Sequence, residues 1–306
     1  MSELIGATAA APTMAAAEVS PSRKGIGLAA WLAVVWLVII LVAVFFAPLL
    51  PLHDPNESFD GLKEVAPFQY TDHILGGDGN GRDMLSRVVY GARYSIMIAV
   101  LGVTAGFLIG GTLGLISGYF KGRVGNLLVG LFDIMLAIPQ LVLALALVAV
   151  LKGDPVDDSG FKLSPVVILI IALGIVSIPI VARIARANTL TWSQREFVMA
   201  SRAQGAKDWR VLFREVFPNV LPALISIALL GIGVAIVTEG GLALLGASVE
   251  PPTATWGTII NGGRSSLNEA PFIVMIPSIA ILLTVLALNT LGDAIRVHFD
   301  VRESAL

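Results

Sequence analysis

Long apolar runs constrain this chain more than any other feature of its sequence. Six runs are each long enough to cross about 30 Å of hydrocarbon as a helix, and they lie at 25–50, 92–120, 124–151, 165–187, 219–245 and 271–294. The first is longer than the roughly 7 to 15 apolar residues of a signal-peptide core, so we expect it to remain as a span. With 56% of its 306 residues hydrophobic and 14% charged, the chain has too little polar surface to cover a soluble globule. We predict an all-α, polytopic membrane protein with six transmembrane helices.

Polar segments separate and flank these spans. Residues 1–24 are expected to be a disordered tail, 51–91 an exposed extramembrane segment and 295–306 a C-terminal tail. The five helices within 92–294 form the expected core, interrupted by a charged loop at 188–218. Basic residues concentrate in the two tails and in the connections on their side, namely Arg23, Lys24, Lys121, Arg123, Arg183, Arg186, Arg195, Arg202, Lys207, Arg210, Arg214, Arg296 and Arg302. The positive-inside rule therefore places both termini and the loop in the cytoplasm, and 51–91 outside.

The loop at 188–218 is the only long stretch that is charged, patterned as helix and flanked by spans. Ser193 and Glu196 have the spacing of a capping box, which predicts that a helix begins there. Gly205 stands where a C′ residue adopts positive φ without a Cβ penalty, so this helix should end before it. The loop should be the contact surface for a partner.

A second short helix should follow in the same loop. Asp208 is positioned to cap it, and its apolar residues recur at i, i+3, i+4 and i+7, namely Trp209, Leu212, Phe213 and Val216. Pro218 and Pro222 are expected to break this helix from the next span. A further proline, Pro179, predicts a kink in the fourth span.

Glycine recurs at every fourth residue in the second predicted span. The stripe consists of Gly102, Gly106, Gly110, Gly114 and Gly118. Such a flat surface allows a neighbouring backbone to approach closely, as at small-residue interfaces in lipid. It predicts a tight helix pair, formed either within this chain or with a second subunit.

Two acidic residues lie within predicted spans. An ionised carboxylate at the centre of a bilayer costs roughly 2.5 to 3.5 kcal/mol on insertion scales, so Glu239 and Asp133 should face protein or water. Glu239 is followed by Gly240 and Gly241, which could open the helix locally. Each acid is interpreted either as a polar group on a translocation pathway or as a carboxylate satisfied by a local hydrogen bond.

Several kinds of catalytic or cofactor site are disfavoured. The chain has no Gly-Lys dipeptide, which excludes a Walker A loop, and Gly77, Gly79 and Gly81 are interpreted as turn residues leading into a short amphipathic helix. The absence of cysteine excludes disulfides and thiolate metal sites. The histidines, His53, His73 and His298, form no HExxH pattern. We predict a chain that is not an enzyme and that binds no metal, cofactor or nucleic acid.

Separated segments carry a resemblance to a known family. Met199-Ala200-Ser201, followed after three residues by Gly205 and later by Phe217-Pro218, resembles the EAA loop of membrane subunits of binding-protein-dependent ABC importers. The stretches GGDGNGRDMLSRVVYGARYS, LFDIMLAIPQL, EPPTATWGTIING and IPSIAILLTVLALNTLGDAIR resemble, in order, the C-type permease of dipeptide and oligopeptide importers. The resemblance covers about residues 25–302. Met199 and Ser201 depart from the usual pattern, which has an acidic residue and a second alanine there.

The resemblance implies a type I ABC importer permease in a bacterial inner membrane that takes up short peptides. It implies a homologous sister permease, two ATPases that bind ATP and Mg, and an extracytoplasmic solute-binding protein. The implied ATPase-coupling residues, which would dock as a helix in a groove, are Glu196, Met199, Ala200, Ser201, Gly205, Ala206, Lys207, Asp208 and Trp209. Nickel, haem and glutathione remain alternative substrates.

Three other interpretations stay open. The coupling stretch could be an amphipathic helix that lies on the bilayer. The chain could be an ion-coupled secondary transporter or a channel, for which Glu239 would be the candidate site. It could also be a structural anchor for cytosolic partners.

Overall fold

The computed structural model describes residues 27–120, 122–153 and 162–303. The predicted tail at 1–24 and the last three residues lie outside this part of the chain. Within it the chain is helical, and its only β-type pairing is two isolated bridges. The helices are α1 (Leu28–Phe46), α2 (Met84–Tyr119), α3 (Arg123–Ala137), α4 (Gln140–Lys152), α5 (Pro165–Trp192), α6 (Glu196–Ala203), α7 (Asp208–Val211), α8 (Phe217–Leu244), α9 (Trp256–Gly262) and α10 (Phe272–Glu303).

Five helical units in the described residues are long and apolar enough to cross a membrane. They are Leu28–Leu49, Met84–Tyr119, Pro165–Trp192, Asp208–Leu244 and Phe272–Val297. A sixth span results if α3 and α4, which are bent by 94° relative to each other, are counted as one broken crossing. The predicted all-α, polytopic architecture is confirmed.

The third predicted span is not one continuous helix. Ile138 and Pro139 both leave the helical region, with ψ of 128° at each residue. Proline has no N–H to donate and disfavours a helical conformation in the residue before it, so α3 ends at Ala137 and α4 begins at Gln140. The predicted span at 124–151 is therefore two helices joined by a sharp bend, since an apolar run indicates the length of a span but not whether the helix bends within it.

The second span begins earlier than predicted. The side chain of Asp83 caps α2, with Oδ2 accepting hydrogen bonds from Ser86 N at 2.8 Å and Ser86 Oγ at 2.7 Å. Helix α2 therefore begins at Met84, within the predicted extramembrane segment 51–91, and the glycine turns lead directly into it instead of into a separate short helix. At the other end of the chain, α10 continues to Glu303, so most of the predicted tail at 295–306 is helical.

Prolines within the other spans do not end them. Helix α5 continues through Pro179, and α7, a π-helical turn (Leu212–Val216) and α8 form one unit. The predicted break at Pro218 and Pro222 was wrong. Pro218 lies in the first turn of α8, and the preceding π-helical turn is a local adjustment of the kind that accommodates proline in membrane helices.

The two ends of the bundle carry different structures. One end, called the loop end, carries residues 50–83, the last residues of α8 and helix α9. There, Arg87 at the start of α2 pairs with Asp78 at 3.1 Å, and Trp256 Nε1 donates to Val88 O at 3.0 Å. The opposite end, called the coupling end, carries α6 and α7. Helix α1 lies at the edge, where Trp36 Nε1 donates to Thr284 Oγ1 of α10 at 3.0 Å.

Candidate functional site

The turn between α6 and α7 has a fully formed helix C-cap. Gly205 has φ of +84°, a conformation that costs an L-residue roughly 1 to 2 kcal/mol. The N–H of Gly205 bonds to Arg202 O at 2.9 Å, and the N–H of Ala206 bonds to Ser201 O at 3.2 Å. This pair of bonds is the Schellman motif. Gly205 therefore ends α6 and redirects the chain into α7, as predicted from its position.

Both predicted N-caps of this region were wrong. Ser193 belongs to the end of α5, because its N–H bonds to Thr189 O and its Oγ donates to Leu190 O. Helix α6 begins at Glu196, and Arg195 at the N-cap makes no side-chain cap bond. Asp208 is the first residue of α7 instead of its cap. Its carboxylate accepts a hydrogen bond from another helix instead.

The coupling element, residues 196–216, is anchored on one face and exposed on the other. Its inner face packs into a cluster with α2, α5 and α8 through the fully buried residues Val198, Val211, Leu212 and Val216. Its outer face, called the exposed coupling face, consists of Phe197, Met199, Trp209 and Phe213, each between 40% and 54% exposed. Trp209 stacks on Phe213 with ring centroids 5.8 Å apart. An apolar face of this kind, on an anchored helical hairpin, is suited to contact with another protein.

The other residues predicted for coupling lie beside this face. Glu196, Ala200, Gly205, Lys207 and Asp208 are exposed, whereas Ser201 and Ala206 are half-buried. The structure therefore brings the whole predicted set together at one turn of the chain.

Tyr119, at the end of α2, joins the two halves of the coupling element. Its hydroxyl donates to Asp208 Oδ1 of α7 at 3.0 Å. The guanidinium carbon of Arg202, on α6, lies 4.8 Å from the centroid of its ring, which is within cation–π range. Sequence reasoning missed Tyr119, because no local pattern links it to residues more than eighty positions away.

The glycine stripe of α2 lies against α5 within this chain. A Cβ added at Gly106, Gly110, Gly114 or Gly118 would meet a backbone carbonyl oxygen of α5 at 2.8, 2.5, 2.4 and 2.8 Å, respectively. The oxygens belong to Gly174, Ile178, Ala182 and Arg186, and at Gly102 the corresponding atom is Ile170 O at 3.2 Å. The two helices are therefore in register turn by turn, and only glycine allows this approach.

Glu239 is buried at the loop end, close to the end of α8. It is 1% exposed, and its Oε1 accepts hydrogen bonds from Ser248 Oγ at 2.6 Å and Thr255 Oγ1 at 2.8 Å. Helix α8 continues to Leu244, so Gly240 and Gly241 do not open it. Instead, Gly257 of α9 allows α8 and α9 to approach closely, since a Cβ added at Gly257 would lie 2.8 Å from Gly240 Cα.

Asp133 has a different environment. It lies on the exposed surface of α3 and makes no ion pair or hydrogen bond with residues 27–120, 122–153 or 162–303. A cavity of about 230 Å³ lies where the start of α4 meets α2, α5 and α8. Its lining is mostly apolar, with Gln140, Ser177 and Thr238 as the polar side chains.

The described residues contain no group of three or more His, Cys, Asp or Glu side chains that could hold a metal ion. The structure does bring together two histidines that are separated in the sequence. The rings of His53 and His73 are 4.6 Å apart between centroids, and His73 Nδ1 lies 3.0 Å from Asp83 Oδ1.

Comparisons with known proteins agree with this architecture. Residues 110–304 match the family described as the binding-protein-dependent transport system inner membrane component. The glutathione transport system permease protein GsiD of Pectobacterium atrosepticum is 35% identical over 86% of this chain and 84% of that protein. The dipeptide transport system permease protein DppC of Alkalihalophilus pseudofirmus is 36% identical over 88% of this chain and 85% of its own length. The di/tripeptide permease protein DppC of Pseudomonas aeruginosa is 37% identical over 87% of this chain and 85% of its own length.

A solved structure shows the same fold. The methionine ABC transporter MetNI, in an inward-facing conformation, matches with a TM-score of 0.57 at 17% identity, covering 70% of this chain and 97% of that chain. This likeness confirms the predicted ABC importer permease fold. The family match, the relatives and the fold together show that the chain belongs to the inner membrane components of binding-protein-dependent transport systems.

Proposed function

We propose that this chain forms half of the translocation pathway of an ATP-driven importer for short peptides. A homologous sister permease forms the other half, two ATPases bind ATP and Mg, and an extracytoplasmic solute-binding protein delivers the substrate. The chain itself catalyses no reaction and holds no cofactor. The coupling element carries this proposal, because it is anchored to three spans while its apolar outer face is left exposed.

The proposed orientation places the coupling end and both termini in the cytoplasm. The coupling end holds basic residues on α5, α6 and α7 and in the turn before α6, among them Arg186, Arg195, Arg202 and Arg210. The loop end holds the acidic segment 50–83. This distribution supports the orientation by the positive-inside rule.

Asp133 supports the presence of a second membrane subunit. It is exposed on α3 and surrounded on that helix by exposed apolar residues, including Leu127 at 76% and Ile134 at 67%. A carboxylate facing lipid at this position is costly, so it must face protein or water in the working assembly. A sister permease packed on α3, with a water-filled path between the subunits, provides both.

Short peptides are the substrate class that the relatives support. The three relatives above are named for transport of glutathione, dipeptides and di/tripeptides, all of which are short peptides. The cavity at the start of α4 has no charged side chain among the described residues that line it, so the pathway beside it can accept different peptide side chains. Nickel and haem are the alternative substrates. They are tested by adding each one to an uptake assay with labelled peptide and measuring whether it competes.

Purification of the full chain from its native membrane in mild detergent tests the assembly. We expect a homologous permease and ATPase subunits to remain bound, identified by mass spectrometry. A chain recovered alone or as a homo-oligomer, with uptake that needs no ATP, would instead establish an ion-coupled carrier or a channel. A coupling element that only rests on the bilayer would leave the ATPases unbound.

The turn at Gly205 provides the sharper test of coupling. Apart from its chain neighbours, no described residue has an atom within 4 Å of a Cβ added there, so within this chain a substitution acts through the backbone conformation. Asparagine tolerates positive φ, whereas a β-branched residue does not. We expect Gly205→Val to leave assembly intact but to uncouple ATP hydrolysis from uptake, and Gly205→Asn to retain most uptake. Wild-type uptake by Gly205→Val would remove the role proposed for this turn.

A further inference from the structure

A cleft of about 430 Å³ opens at the loop end, within the range of small-ligand sites. It lies between the turn after α1, the first part of α2 and the loop before α9. Its lining residues are Leu52, His53, Asp54, Pro55, Asn56, Tyr90, Arg93, Tyr94, Thr253 and Ala254. Tyr90 Oη is 3.5 Å from Ala47 O, next to the end of α1. The cleft therefore lies where the apolar surface of α1 gives way to the polar segment, at the level of the membrane boundary.

The lining of the cleft includes one arginine and one aspartate, which come from different elements of the fold, together with His53. Arg93 on α2 is exposed and makes no ion pair or hydrogen bond with any described residue. Asp54, on the turn after α1, uses Oδ1 to accept a hydrogen bond from Asn56 N at 2.8 Å. Its Oδ2 makes no hydrogen bond within the described part of the chain. The two charged groups thus share a cleft without being paired with each other.

Opposite charges on separate walls of one cleft select for a ligand that carries both charges. A guanidinium binds a carboxylate or a phosphate with two parallel hydrogen bonds. A carboxylate binds an ammonium group. A simple anion would be repelled by Asp54 and a simple cation by Arg93, so neither gains from both walls. The hydroxyls of Tyr90, Tyr94 and Thr253 add hydrogen-bonding groups without net charge.

We propose that this cleft binds a zwitterion, with Arg93 holding its anionic group and Asp54 its ammonium group. Two sources have this chemistry. One is a short peptide with free termini, which would be held at the outer mouth of the permease, and this source rests on the function proposed above. The other is the phosphoethanolamine headgroup of a membrane lipid, which does not.

Calorimetric titration of the purified full chain, reconstituted in nanodiscs of phosphatidylglycerol, tests the proposal. The probes are L-alanyl-L-alanine, its N-acetyl and C-terminal amide derivatives, and dihexanoyl phosphatidylethanolamine. We expect saturable binding of the dipeptide, the phosphatidylethanolamine or both. Blocking either end of the dipeptide, if it is the ligand, should weaken binding about tenfold or more, since each block removes a charge-assisted contact.

Substitutions test whether Arg93 and Asp54 each contribute to binding. Arg93→Gln and Asp54→Asn should each weaken binding of the zwitterion by about tenfold or more. The matched controls, Arg264→Gln and Asp60→Asn, remove exposed charges of the same sign at the loop end but outside the cleft, and should bind as the wild type does. The proposal would be overturned if neither the dipeptide nor the phosphatidylethanolamine bound saturably, or if all four variants bound the zwitterion equally well.

The binding measurement also separates this proposal from the proposed function. It needs no ATPase, so Gly205→Val should bind the zwitterion with wild-type affinity even where its uptake fails. Binding of the lipid probe alone would assign the site to a headgroup and leave peptide import to be judged by the uptake assays.

Discussion

Replacing Gly114 by alanine tests the contact between α2 and α5 at the closest point of the glycine stripe. The added Cβ would lie 2.4 Å from Ala182 O and 2.5 Å from Ala185 Cβ. Both atoms are fixed to the α5 backbone and cannot rotate away. To restore an ordinary contact of 3.4 Å, the helices must separate locally by 1.0 Å, the difference between 3.4 and 2.4 Å.

The expected cost can be isolated with a neighbouring glycine. Overpacking of this kind lowers the free energy of unfolding by about 1 to 3 kcal/mol. The better helix propensity of alanine raises it by about 1 kcal/mol. Gly111→Ala is the matched control, because among the described residues its Cβ would meet only Leu224 Cδ1, at an ordinary 3.8 Å. The two variants share the propensity gain, so the difference in their free energies of unfolding should be the overpacking cost of about 1 to 3 kcal/mol.

The assay is reversible unfolding of the purified full chain in mixed micelles with increasing SDS, followed by tryptophan fluorescence. Gly114→Ala should unfold at a lower SDS fraction than Gly111→Ala, which should unfold at or above the wild-type value. If the two variants prove equally stable, the close approach of the helices is not what the glycine stripe provides.

Three further outcomes follow from the contacts at the two ends of the bundle. Glu239→Gln keeps an oxygen that can accept hydrogen bonds from the hydroxyls of Ser248 and Thr255. Glu239→Ala leaves these hydroxyls without that acceptor, at a cost of about 1 to 3 kcal/mol in folding free energy. Limited proteolysis of residues 246–255 should therefore accelerate only in the alanine variant. Tyr119→Phe loses the hydrogen bond to Asp208 but keeps the ring beside Arg202, so hydrogen exchange of the α7 backbone amides should rise moderately. Tyr119→Ala loses both contacts, so the exchange should rise further. The pKa of Glu250 lies below its ordinary value because Lys152 donates a hydrogen bond to it and places a positive charge beside it. The ion pair is therefore fully formed above the ordinary carboxyl pKa and is lost as the pH falls through the lowered pKa. Lys152→Gln should return the pKa of Glu250 to its usual range, as measured by NMR titration of the labelled carboxyl group.

The sequence predicted the spans well because apolar length and glycine spacing are local properties. It did not predict which proline bends the chain. Pro139, Pro179 and Pro218 all lie in or beside apolar runs, yet only Pro139 separates two helices that differ by 94° in direction. The outcome depends on whether nearby turns can adjust, as the π-helical turn before Pro218 does, and hydropathy carries no information about that.

The candidate site was likewise predictable only where its signal is local in the sequence. Gly205 was identified because a helix end and positive φ leave a local signature. The predicted cap at Ser193 failed because α5 extended further and used that residue itself. Tyr119 and the hydroxyl partners of Glu239 come from other elements, and one sequence gives no pairing between distant positions.

The unbroken course from Asp208 to Leu244 has a mechanical consequence. These 37 residues form a rod about 55 Å long at a rise of about 1.5 Å per residue. A tilt of about 5° around its midpoint would displace each tip by roughly 2.4 Å, in opposite directions. One tip carries Asp208 beside the exposed coupling face, and the other lies five residues beyond Glu239. Such a tilt of this one helix would therefore move the loop that is hydrogen-bonded to Glu239 in the direction opposite to the exposed coupling face.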